Sequence, residues 1–598
     1  MSTIRLTAAQ AVVRYLAAQR IEGGQNLFAG VWAIFGHGNV AGMGEALYAA
    51  RDVLPTFRAH NEQGMALAAA AFAKASYRRR MMACTSSIGP GATNMITAAA
   101  LAHVNRLPVL FLPGDVFASR RPDPVLQQIE DWGDATASVN DCFRPVSRWF
   151  DRITRPEQLL DSLPNAVRVL TDPAECGPAT LSLCQDVQAE AFDYPAGLFE
   201  PVTHVRRRLG ADQAELARAA AMLKEARRPL IVAGGGVLYS EAAEVLSEFA
   251  ARHGIPVTET QAGKGALPWD HAMAVGSIGV TGSSAANSLA SEADLVFAIG
   301  TRLQDFTTGS RALFAAAKML HLNVLAFDAA KHGAVPLVGD ARRTLQELAL
   351  DGCRSSAAWQ GRVRDLVADW RAAVDAATAA PGGNALPTDA QVIGAVNRAA
   401  SADDVVVCAA GGLPGELHKL WRAAGPGSYH LEYGYSCMGY EIAGGLGVRM
   451  ARPGGEVFVM VGDGSYLMLN SELQTSVLSG RKLIVVVLDN GGFGCINRLQ
   501  LACGGAPFNN LVGEPGWVDF ASHARSLGCI AEQVDSIAGL EDALARARRA
   551  ERTSVVVIRT DPVATTQAGG AWWDVAVPEV SARAEVRAAR AAYETARG

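Results

Sequence analysis

The sequence predicts an α/β protein built from doubly wound parallel sheets. Its clearest unit spans residues 457–497, where an apolar run, a glycine turn, a segment with leucines at helical spacing and a second apolar run follow one another. Both apolar runs are rich in β-branched residues and do not alternate with polar ones, which is typical of parallel strands covered on both faces. Helical and strand-like segments also alternate over residues 3–190 and 209–350, so we expect three domains of this class.

The first domain is expected over residues 1–194. Thr7–Gln19 has the amphipathic spacing of a helix that Thr7 could cap, and Met65–Ala75 is an alanine-rich helical segment. The apolar runs of this domain predict strands at Ala33–Phe35, Met81–Thr85, Val109–Leu112 and Ala179–Leu183.

The middle domain is expected over residues 209–350. Leu230–Val232 and Leu295–Ile299 are predicted strands that end in glycine turns. The three glycines Gly234–Gly236 lack the spacing of a dinucleotide-binding fingerprint, so we interpret them as structural.

The third domain is expected over residues 387–570, and residues 571–598 form a C-terminal tail that should pack over the body. Tyr466–Ser479 is the predicted helix of its central unit. The predicted strands are Val405–Val407, Val457–Val461 and Leu483–Leu488.

Composition argues against several classes of protein. The net charge of −5 over 598 residues gives no indication of nucleic acid or an anionic membrane as a partner. The ten cysteines lack CxxC and zinc spacings, which favours reduced thiols in a cytoplasmic protein. No apolar run approaches ~20 residues, so neither export nor a membrane span is predicted.

Polar side chains follow two predicted strands of the third domain, where parallel sheets bind their ligands. Asp463 and Asn490 each come after an apolar run, in a glycine-rich turn. Mg²⁺ prefers few protein oxygen ligands and keeps positions open for phosphate oxygens. The N-terminus of the helix after Gly464 also favours an anion. The residues alone therefore predict a Mg²⁺-bridged diphosphate site.

The two turns together resemble the signature of thiamine diphosphate (ThDP) enzymes, a Gly-Asp-Gly turn followed by a paired-Asn turn. The resemblance implies ThDP and Mg²⁺ as cofactors, with Asp463, Asn490 and the Gly492 carbonyl as metal ligands. Asp489 replaces the first Asn of the pair and leaves the ligand position unchanged. Met438 stands where the family has a large apolar residue between the two cofactor rings. The other implied cofactor-binding residues are Gly411, Gly412, Leu413, Ser436, Gly464 and Ser465.

Glu62 is the predicted catalytic carboxyl of the first domain. Its segment, His60–Gly64, resembles the His-Glu-Gln-Gly stretch of ThDP enzymes, with Asn61 in place of the His. The resemblance implies that Glu62 binds the cofactor through ring nitrogen N1′ and so activates it. In isolation, a Glu here would be a solvated residue at a helix N-terminus. Ser86–Asn94 resembles a second ThDP loop, whose glycines permit close approach of the backbone.

The order of the three domains resembles the pyrimidine-binding, middle and diphosphate-binding arrangement of pyruvate-oxidase-like and acetolactate-synthase-like enzymes. In that arrangement Glu62 of one subunit serves ThDP held by the third domain of another. The resemblance therefore implies a homodimer with shared active sites, and by extension a homotetramer. Some relatives hold FAD or a nucleotide in the middle domain and others leave it empty, and the sequence leaves both open.

Stretches in all three domains resemble one branch, the inositol-catabolism hydrolases that act on 3D-(3,5/4)-trihydroxycyclohexane-1,2-dione. They include residues 34–40, 61–66, 120–128, 146–159, 259–265, 437–444 and 492–500. The resemblance implies a hydrolase that opens the ring with water to give 5-deoxy-D-glucuronate. A neutral cyclic diketone polyol needs several hydrogen-bonding partners rather than a cationic clamp.

Polar residues near the expected site supply such partners. His37 and His60 are alternative catalytic residues for activating the water. The polar loop Arg120–Trp132 is expected to form a wall of the site, with Gln127 and Gln128 facing either substrate or solvent. The candidate substrate-binding residues are Asn39, Asn61, Gln128 and Asn497.

Three other functions remain open from the sequence. One is a 2-oxo-acid enzyme of the acetolactate synthase or decarboxylase type, which would need a site for the substrate carboxylate. The second is a ThDP-dependent acyltransferase that passes its acyl carbon to phosphate or to a second carbonyl. The third is a non-catalytic subunit, which would be expected to lose Glu62, Asp463 or Asn490, whereas all three are present.

Overall fold

The computed structural model describes residues 2–122, 124–380, 385–512 and 517–597. The chain forms two compact units. Unit 1 holds Met1–Arg207, Ile442–Pro453 and Leu469–Arg481, and unit 2 holds Arg208–Glu441, Gly454–Met468 and Lys482–Gly598. Unit 1 contains one six-stranded parallel sheet and unit 2 contains two, which confirms the predicted fold class. The residue limits of the three predicted domains stay a prediction.

The first 207 residues supply the strands of unit 1, which are β1 (Thr3–Thr7), β2 (Gln19–Ile21), β3 (Phe28–Ala33), β4 (Thr56–Phe57), β5 (Met81–Ser86), β6 (Val109–Asp115), β7 (Trp149–Ile153), β8 (Ala179–Cys184), β9 (Ala191–Pro195) and β10 (Val202–His204). The parallel sheet has the order β4-β3-β5-β6-β8-β7, and β5, β6 and β8 are buried along their whole length. β1 pairs with β9, and β2 pairs with β10.

The helices of this part of the chain are α1 (Ala8–Ala18), α2 (Gly42–Ala49), α3 (Glu62–Ala75), α4 (Pro90–Thr93), α5 (Ile96–Asn105), α6 (Leu159–Thr171) and α7 (Gln185–Ala189). Thr7 caps α1 through a capping box with Gln10, as its sequence predicted. α3 begins three residues earlier than predicted, because the Asn61 side chain accepts hydrogen bonds from the backbone N–H groups of Gln63 and Gly64.

The strand predicted at Ala33–Phe35 is wrong. The strand in the structure is β3, which ends at Ala33, and residues 34–39 form a loop. Phe28 and Val31 are buried whereas Phe35 is exposed, so the apolar face of the strand lies earlier in the chain than predicted.

Unit 2 contains the strands β11 (Pro229–Ala233), β12 (Val257–Glu259), β13 (Ala274–Ser277), β14 (Leu295–Ile299), β15 (Lys318–Asn323), β16 (Val335–Val338), β17 (Val405–Cys408), β18 (Tyr429–Leu431), β19 (Val457–Gly462), β20 (Ile484–Asp489), β21 (Ile530–Val534) and β22 (Ser554–Arg559). One sheet has the order β13-β12-β11-β14-β15-β16 and the other has the order β18-β17-β19-β20-β22-β21.

The helices that follow α7 in the chain are α8 (Gln213–Glu225), α9 (Gly235–Tyr239), α10 (Ala243–His253), α11 (Ser284–Glu292), α12 (Asp305–Thr308), α13 (Ala326–Ala329), α14 (Ala341–Glu347), α15 (Ala357–Thr378), α16 (Asp389–Ala399), α17 (Leu413–Leu420), α18 (Tyr440–Ala451), α19 (Asp463–Met468), α20 (Glu472–Leu478), α21 (Gly494–Ala502), α22 (Phe520–Ser526), α23 (Ile537–Arg549) and α24 (Ala584–Arg597). Short 3-10 helices lie at Val139–Val146, Pro156–Gln158, Ala196–Phe199 and Lys331–Gly333. Among the helices of the described residues, none is long and apolar enough to cross a membrane.

The single helix predicted over Tyr466–Ser479 is also wrong, because the structure has two helices, α19 and α20. The break contains Asn470 and Ser471, whose short polar side chains favour turns over helix interiors. The backbone carbonyls of both residues accept 3-10-type hydrogen bonds at the start of α20.

The glycine run of the middle sheet and the C-terminal tail each pack closely against their surroundings. A Cβ on Gly234 would lie 2.5 Å from the carbonyl oxygen of Gly300, and one on Gly236 would lie 2.6 Å from its Cα. These contacts agree with a structural role for the glycines. In the tail, Trp573 donates a hydrogen bond from Nε1 to the carboxylate of Asp305.

Candidate active site

Loops that follow four neighbouring strands of unit 2 form the first part of the candidate site. β18, β17, β19 and β20 are consecutive and parallel, so their carboxyl ends lie along one edge of the sheet. Ligands of such sheets bind at this edge. The loops contain the predicted cofactor residues Ser436, Gly411, Asp463 and Asn490.

Three predicted metal ligands meet at this edge. The side-chain amide of Asn490 ends 2.9 Å from the carbonyl oxygen of Gly492 and 3.3 Å from Oδ1 of Asp463. Its NH₂ group can donate to both oxygens when no cation is present. When the amide oxygen faces them instead, three oxygens converge. Their separations are then close to the spacing of neighbouring oxygens around an octahedral Mg²⁺, which is roughly 2.9 Å.

Asp463 is held by the turn that carries the other two ligands. The backbone N–H groups of Gly464, Asn490 and Gly492 donate to its carboxylate. Burial, with the adjacent Asp489 as a second cause, raises the pKa of Asp463 to about 6. Among the described residues no group of three or more His, Cys, Asp or Glu could hold a metal ion. A cation here would therefore also depend on the amide and backbone oxygens.

The loop between β17 and α17 leaves room for a ligand. Gly411 has a φ of +94°, which favours glycine, and a Cβ added there would meet no atom within 4 Å. Gly462, at the end of β19, also faces open space. Gly412 is the N-cap residue of α17, and Leu413 is the first residue of the helix. Gly411 and Gly462 therefore leave space that suits the predicted diphosphate.

A buried carboxyl ties three of these loops together. Glu441 is 1% exposed; it accepts hydrogen bonds from Oγ of Ser465 at 2.7 Å and from the backbone N–H of Ala410 at 3.4 Å. Ser465 Oγ in turn accepts from the N–H of Gly439 at 2.8 Å. Burial raises the pKa of Glu441 to about 7. Glu441 therefore holds the loop between β17 and α17, the loop that carries Met438 and the Gly-Asp-Gly turn in register.

A second buried carboxyl shapes the loop that carries Ser436 and Met438. Glu432 accepts from the backbone N–H groups of Tyr435 and Cys437 at 2.8 and 2.9 Å. Ser436 lies between them with a φ of +55°, a strained value for a residue with a side chain. Met438 is half-buried, so part of its side chain faces solvent and could contact a ligand.

Unit 1 contains the predicted catalytic carboxyl. Glu62 is half-buried at the first position of α3, and its Oε2 accepts from Nδ2 of Asn94 at 3.1 Å. Its Oε1 lies 3.1 Å from where a Cβ on Gly91 would stand, so this glycine lets the carboxyl approach the backbone closely. The loop at Ser86–Asn94 thus contacts Glu62 within one unit.

The start of α3 also packs on a buried glutamate. Glu472 is fully buried, and a Cβ on Gly64 would lie 2.6 Å from its Oε1. The backbone N–H of His60 donates to this carboxyl, while the His60 side chain is exposed. The Asn61 side-chain oxygen is used as the helix cap, which leaves its amide nitrogen for another partner.

The loop after β3 lies against the same region. A Cβ on Gly36 would be 2.5 Å from Oγ of Ser87, and the Gly38 N–H lies 3.4 Å from that oxygen. Asn39 is buried; its amide accepts from the N–H of Gly36 and donates to Oγ1 of Thr85. Both ends of its amide have partners inside the fold, so the geometry gives no support to its predicted substrate role. His37 is exposed and remains available.

The loop predicted to form a wall of the site packs on the glycine-rich loop. A Cβ on Gly89 would stand 1.8 Å from the carbonyl oxygen of Gln127. Gln128 accepts from the N–H of Val139 at 3.3 Å, and its buried Nε2 has no acceptor among the described residues. Gln127 is exposed. Of the two glutamines, Gln128 therefore keeps an unused donor that faces inward.

Asn497 is buried on α21, one turn after Gly494. The next residue, Arg498, was not among the predicted site residues, and neither were the glutamates at 432, 441 and 472. Their sequence signal was weak, since each is a charged residue beside apolar or small ones, as many surface residues are. The best clue was Glu441, which lies in the first turn of a glycine-rich apolar helix.

Three family models match the chain. The N-terminal TPP binding domain of thiamine pyrophosphate enzymes matches residues 6–136, the central domain matches residues 216–348, and the C-terminal TPP binding domain matches residues 409–558. The chain belongs to the thiamine pyrophosphate enzyme family. Thiamine pyrophosphate is ThDP, so the family agrees with the predicted cofactor. The two TPP binding matches contain Glu62 and the four strand-end loops of unit 2, and the roles of individual residues stay predictions.

Named relatives match nearly the whole chain. Proteins named 3D-(3,5/4)-trihydroxycyclohexane-1,2-dione hydrolase from Geobacillus thermodenitrificans (strain NG80-2), Bacillus cereus (strain AH820) and Bacillus anthracis are each 44% identical to this chain. Each match covers 98% of this chain and 98% of the relative. The similarity therefore extends through all three family domains of this thiamine pyrophosphate enzyme.

Proposed function

We propose that this enzyme opens the ring of 3D-(3,5/4)-trihydroxycyclohexane-1,2-dione with water to give 5-deoxy-D-glucuronate in myo-inositol degradation. The observation that carries the proposal is the 44% identity, over 98% of the chain, to relatives named for that substrate. Identity of this extent goes beyond the cofactor fold, which enzymes of different ThDP reactions share. It favours the hydrolase over the acetolactate synthase, decarboxylase and acyltransferase alternatives.

In the proposed reaction the bond between the two carbonyl carbons breaks. The oxygen of water bonds to the carbon that becomes the carboxylate, and the other carbonyl carbon becomes the aldehyde of the same opened chain. No carbon is lost. When bound, ThDP supplies the nucleophilic carbon and the electron sink for such a cleavage. The chain must bind the polyol, position the water and hold a proton on the cofactor ring.

Glu62 is proposed to hold that proton at ring nitrogen N1′. Its position at the start of α3, with Oε1 beside Gly91, supports a carboxyl that a planar ring can approach. The proposed Mg²⁺ ligands are Asp463, Asn490 and the carbonyl oxygen of Gly492, supported by the convergence of their oxygens. Mg²⁺ would take diphosphate oxygens in its remaining positions.

Substrate contacts are proposed for exposed histidines and for buried or half-buried side-chain amides. His37 and His60 have exposed side chains and remain the alternatives for activating the water. The buried donor of Gln128 and the amides of Asn61 and Asn497 are suitable partners for hydroxyl groups.

We also propose a homodimer with shared active sites, with a homotetramer as its extension. Large apolar side chains stay exposed on the candidate loops: in unit 1 Leu126 is 73% exposed and Trp132 is 96% exposed. In unit 2, Met468 at the end of α19 is 53% exposed, and Phe493, which follows the predicted ligand Gly492, is 37% exposed. Exposed apolar groups of this kind are typical of surfaces that another chain covers.

Product analysis tests the reaction. With the cyclic dione in ¹⁸O-labelled water, we expect an aldehyde acid that is heavier than the substrate by one water and carries solvent-derived label in its carboxylate. Release of CO₂, or faster turnover of pyruvate than of the dione, would instead identify a 2-oxo-acid enzyme. Turnover that requires phosphate and yields an acyl phosphate would identify the acyltransferase.

Mixing two inactive variants tests the shared site. In a shared site, Glu62 comes from one subunit and Asp463 from the other. A dimer of one Glu62→Gln subunit and one Asp463→Ala subunit therefore keeps one site with both groups intact. We expect co-refolded mixtures to recover about one quarter of wild-type activity, since half of the dimers are mixed and each has one intact site. No recovery, in mixtures that light scattering shows to be dimeric, would contradict the proposal.

A further inference from the structure

We propose that Arg498 binds the diphosphate of ThDP and so completes the cofactor site of unit 2. The inference rests on the proposed ThDP site at the ends of β17, β19 and β20, and it adds a cation that the sequence did not indicate. It concerns how the cofactor is held rather than which substrate is cleaved.

The guanidinium lies directly against the loop between β17 and α17, where the diphosphate is predicted to bind. Arg498 is on α21, and its Nη1 donates a hydrogen bond to the carbonyl oxygen of Pro562 at 2.8 Å. Its Nη2 lies 2.3 Å from the point where a Cβ on Gly412 would stand. Only a glycine at this position lets the guanidinium reach the backbone of the loop.

The same guanidinium lies beside the predicted metal ligands. A Cβ on Gly494 would be 3.4 Å from Nη1 of Arg498 and 3.4 Å from the side-chain nitrogen of Asn490. The two side chains therefore flank one glycine. Nη1 of Arg498 and the side-chain nitrogen of Asn490 are no farther apart than twice 3.4 Å. A diphosphate can span a separation within this limit, with one phosphate on a cation at Asn490 and the other on Arg498.

The charge of Arg498 is not neutralised by an ion pair. Among the described residues no carboxylate lies within 4.0 Å of its guanidinium, and its one hydrogen bond to the protein goes to the Pro562 carbonyl. Burial raises the pKa of Asp389 to about 6 and also raises the pKa of Cys495, and the charge of Arg498 opposes both shifts without forming an ion pair with either residue. A half-buried arginine with unused donors suits a doubly charged phosphate, whose oxygens it can bind through two parallel hydrogen bonds.

A purely structural role is the alternative. In that case Arg498 only ties α21 to the segment at Pro562, and its loss would weaken the fold and every ligand alike. The two roles differ in one measurable ratio, which is the affinity for ThDP divided by the affinity for thiamine, because thiamine lacks the diphosphate.

The test compares Arg498→Met with the wild-type protein and with Arg525→Met, which removes an exposed arginine elsewhere in unit 2. Calorimetry at a fixed Mg²⁺ concentration gives the Kd values for ThDP and thiamine, and competition gives the Kd value for inorganic pyrophosphate. We expect Arg498→Met to weaken ThDP and pyrophosphate by about 10- to 100-fold, the loss of a hydrogen bond to a charged group. We expect thiamine affinity to change less than about twofold, and Arg498→Lys to restore part of the loss, because it keeps the charge and lacks the planar fork.

Unchanged ThDP affinity in Arg498→Met, or an equal loss for ThDP and thiamine, would overturn the proposal. If Arg498→Met does not fold, Arg498→Lys carries the same comparison: selective loss of ThDP affinity supports the proposal and equal loss of both ligands overturns it. Binding is measured without substrate, so a wrong substrate assignment leaves this test intact, whereas wild-type protein that binds no ThDP would remove both proposals.

Discussion

Replacing Glu62 with glutamine removes the carboxyl proposed to hold a proton on the cofactor and keeps its shape. An amide oxygen can still accept from Nδ2 of Asn94, as Oε2 does at 3.1 Å, and the approach to Gly91 stays open. The negative charge at the start of α3 is lost, which costs about 0.3–1 kcal/mol of unfolding free energy. Loss of acid–base catalysis costs about 10²- to 10⁴-fold in rate, or roughly 2.7–5.4 kcal/mol.

We therefore expect Glu62→Gln to fold, to retain ThDP and to turn over the dione at least about 100-fold more slowly than wild type. Single-turnover rates at full ThDP occupancy measure the effect, together with exchange of the C2 proton of bound ThDP for deuterium. Glu45→Gln is the matched control, because Glu45 is an exposed glutamate in the first turn of α2 in the same unit. A Glu62→Gln rate close to that of Glu45→Gln would remove Glu62 from the mechanism.

Three further outcomes are expected. Asp463→Ala should lose Mg²⁺-dependent retention of ThDP on a desalting column, and unchanged retention would refute the metal assignment. Because burial raises the pKa of Glu441 to about 7, the ligand-free wild type should lose up to about 3 kcal/mol of stability as pH rises from about 4.5 through 7. Glu441→Gln should not show this loss. A difference in Tm between Glu441→Gln and wild type that stays constant between pH 5 and pH 8 would contradict this prediction. Gly64→Ala, whose Cβ would stand 2.6 Å from Oε1 of Glu472, should lower the unfolding free energy in urea by about 1–3 kcal/mol, and an unchanged value would disprove that contact.

The predictions that hold are those that depend on strand order. A glycine turn after a buried parallel strand lies at the carboxyl edge of the sheet, whatever the details of packing. For this reason Asp463 and Asn490, which are 27 residues apart, could be expected at one place, and their side chains do converge. The cap at Thr7 was equally local, since the capping box needs only its own helix.

The predictions that fail concern segments where an apolar pattern and a helix- or strand-breaking signal compete. Leucines at helical spacing continue through residues 466–479, yet the polar pair at Asn470 and Ser471 ends one helix and starts another. The substrate role of Asn39 stays a prediction, although a tertiary partner, Thr85, accepts a hydrogen bond from its amide. No sequence pattern distinguishes an amide that faces a ligand from one that fills a buried polar position.

The buried acids near the proposed metal ligands give a physical reason for the proposed cation. Glu432, Glu441, Asp463 and Asp489 are all buried in unit 2, close to the loops that would receive a strongly negative ligand. Each is useful without a ligand, because it accepts backbone or hydroxyl hydrogen bonds that fix a loop. In their ionised forms they would repel an anion, and the single charge of Arg498 would offset that repulsion only in part. A divalent ion at Asp463, as proposed, would reverse the local sign of charge, so the same carboxyls that order the loops could remain when ThDP binds.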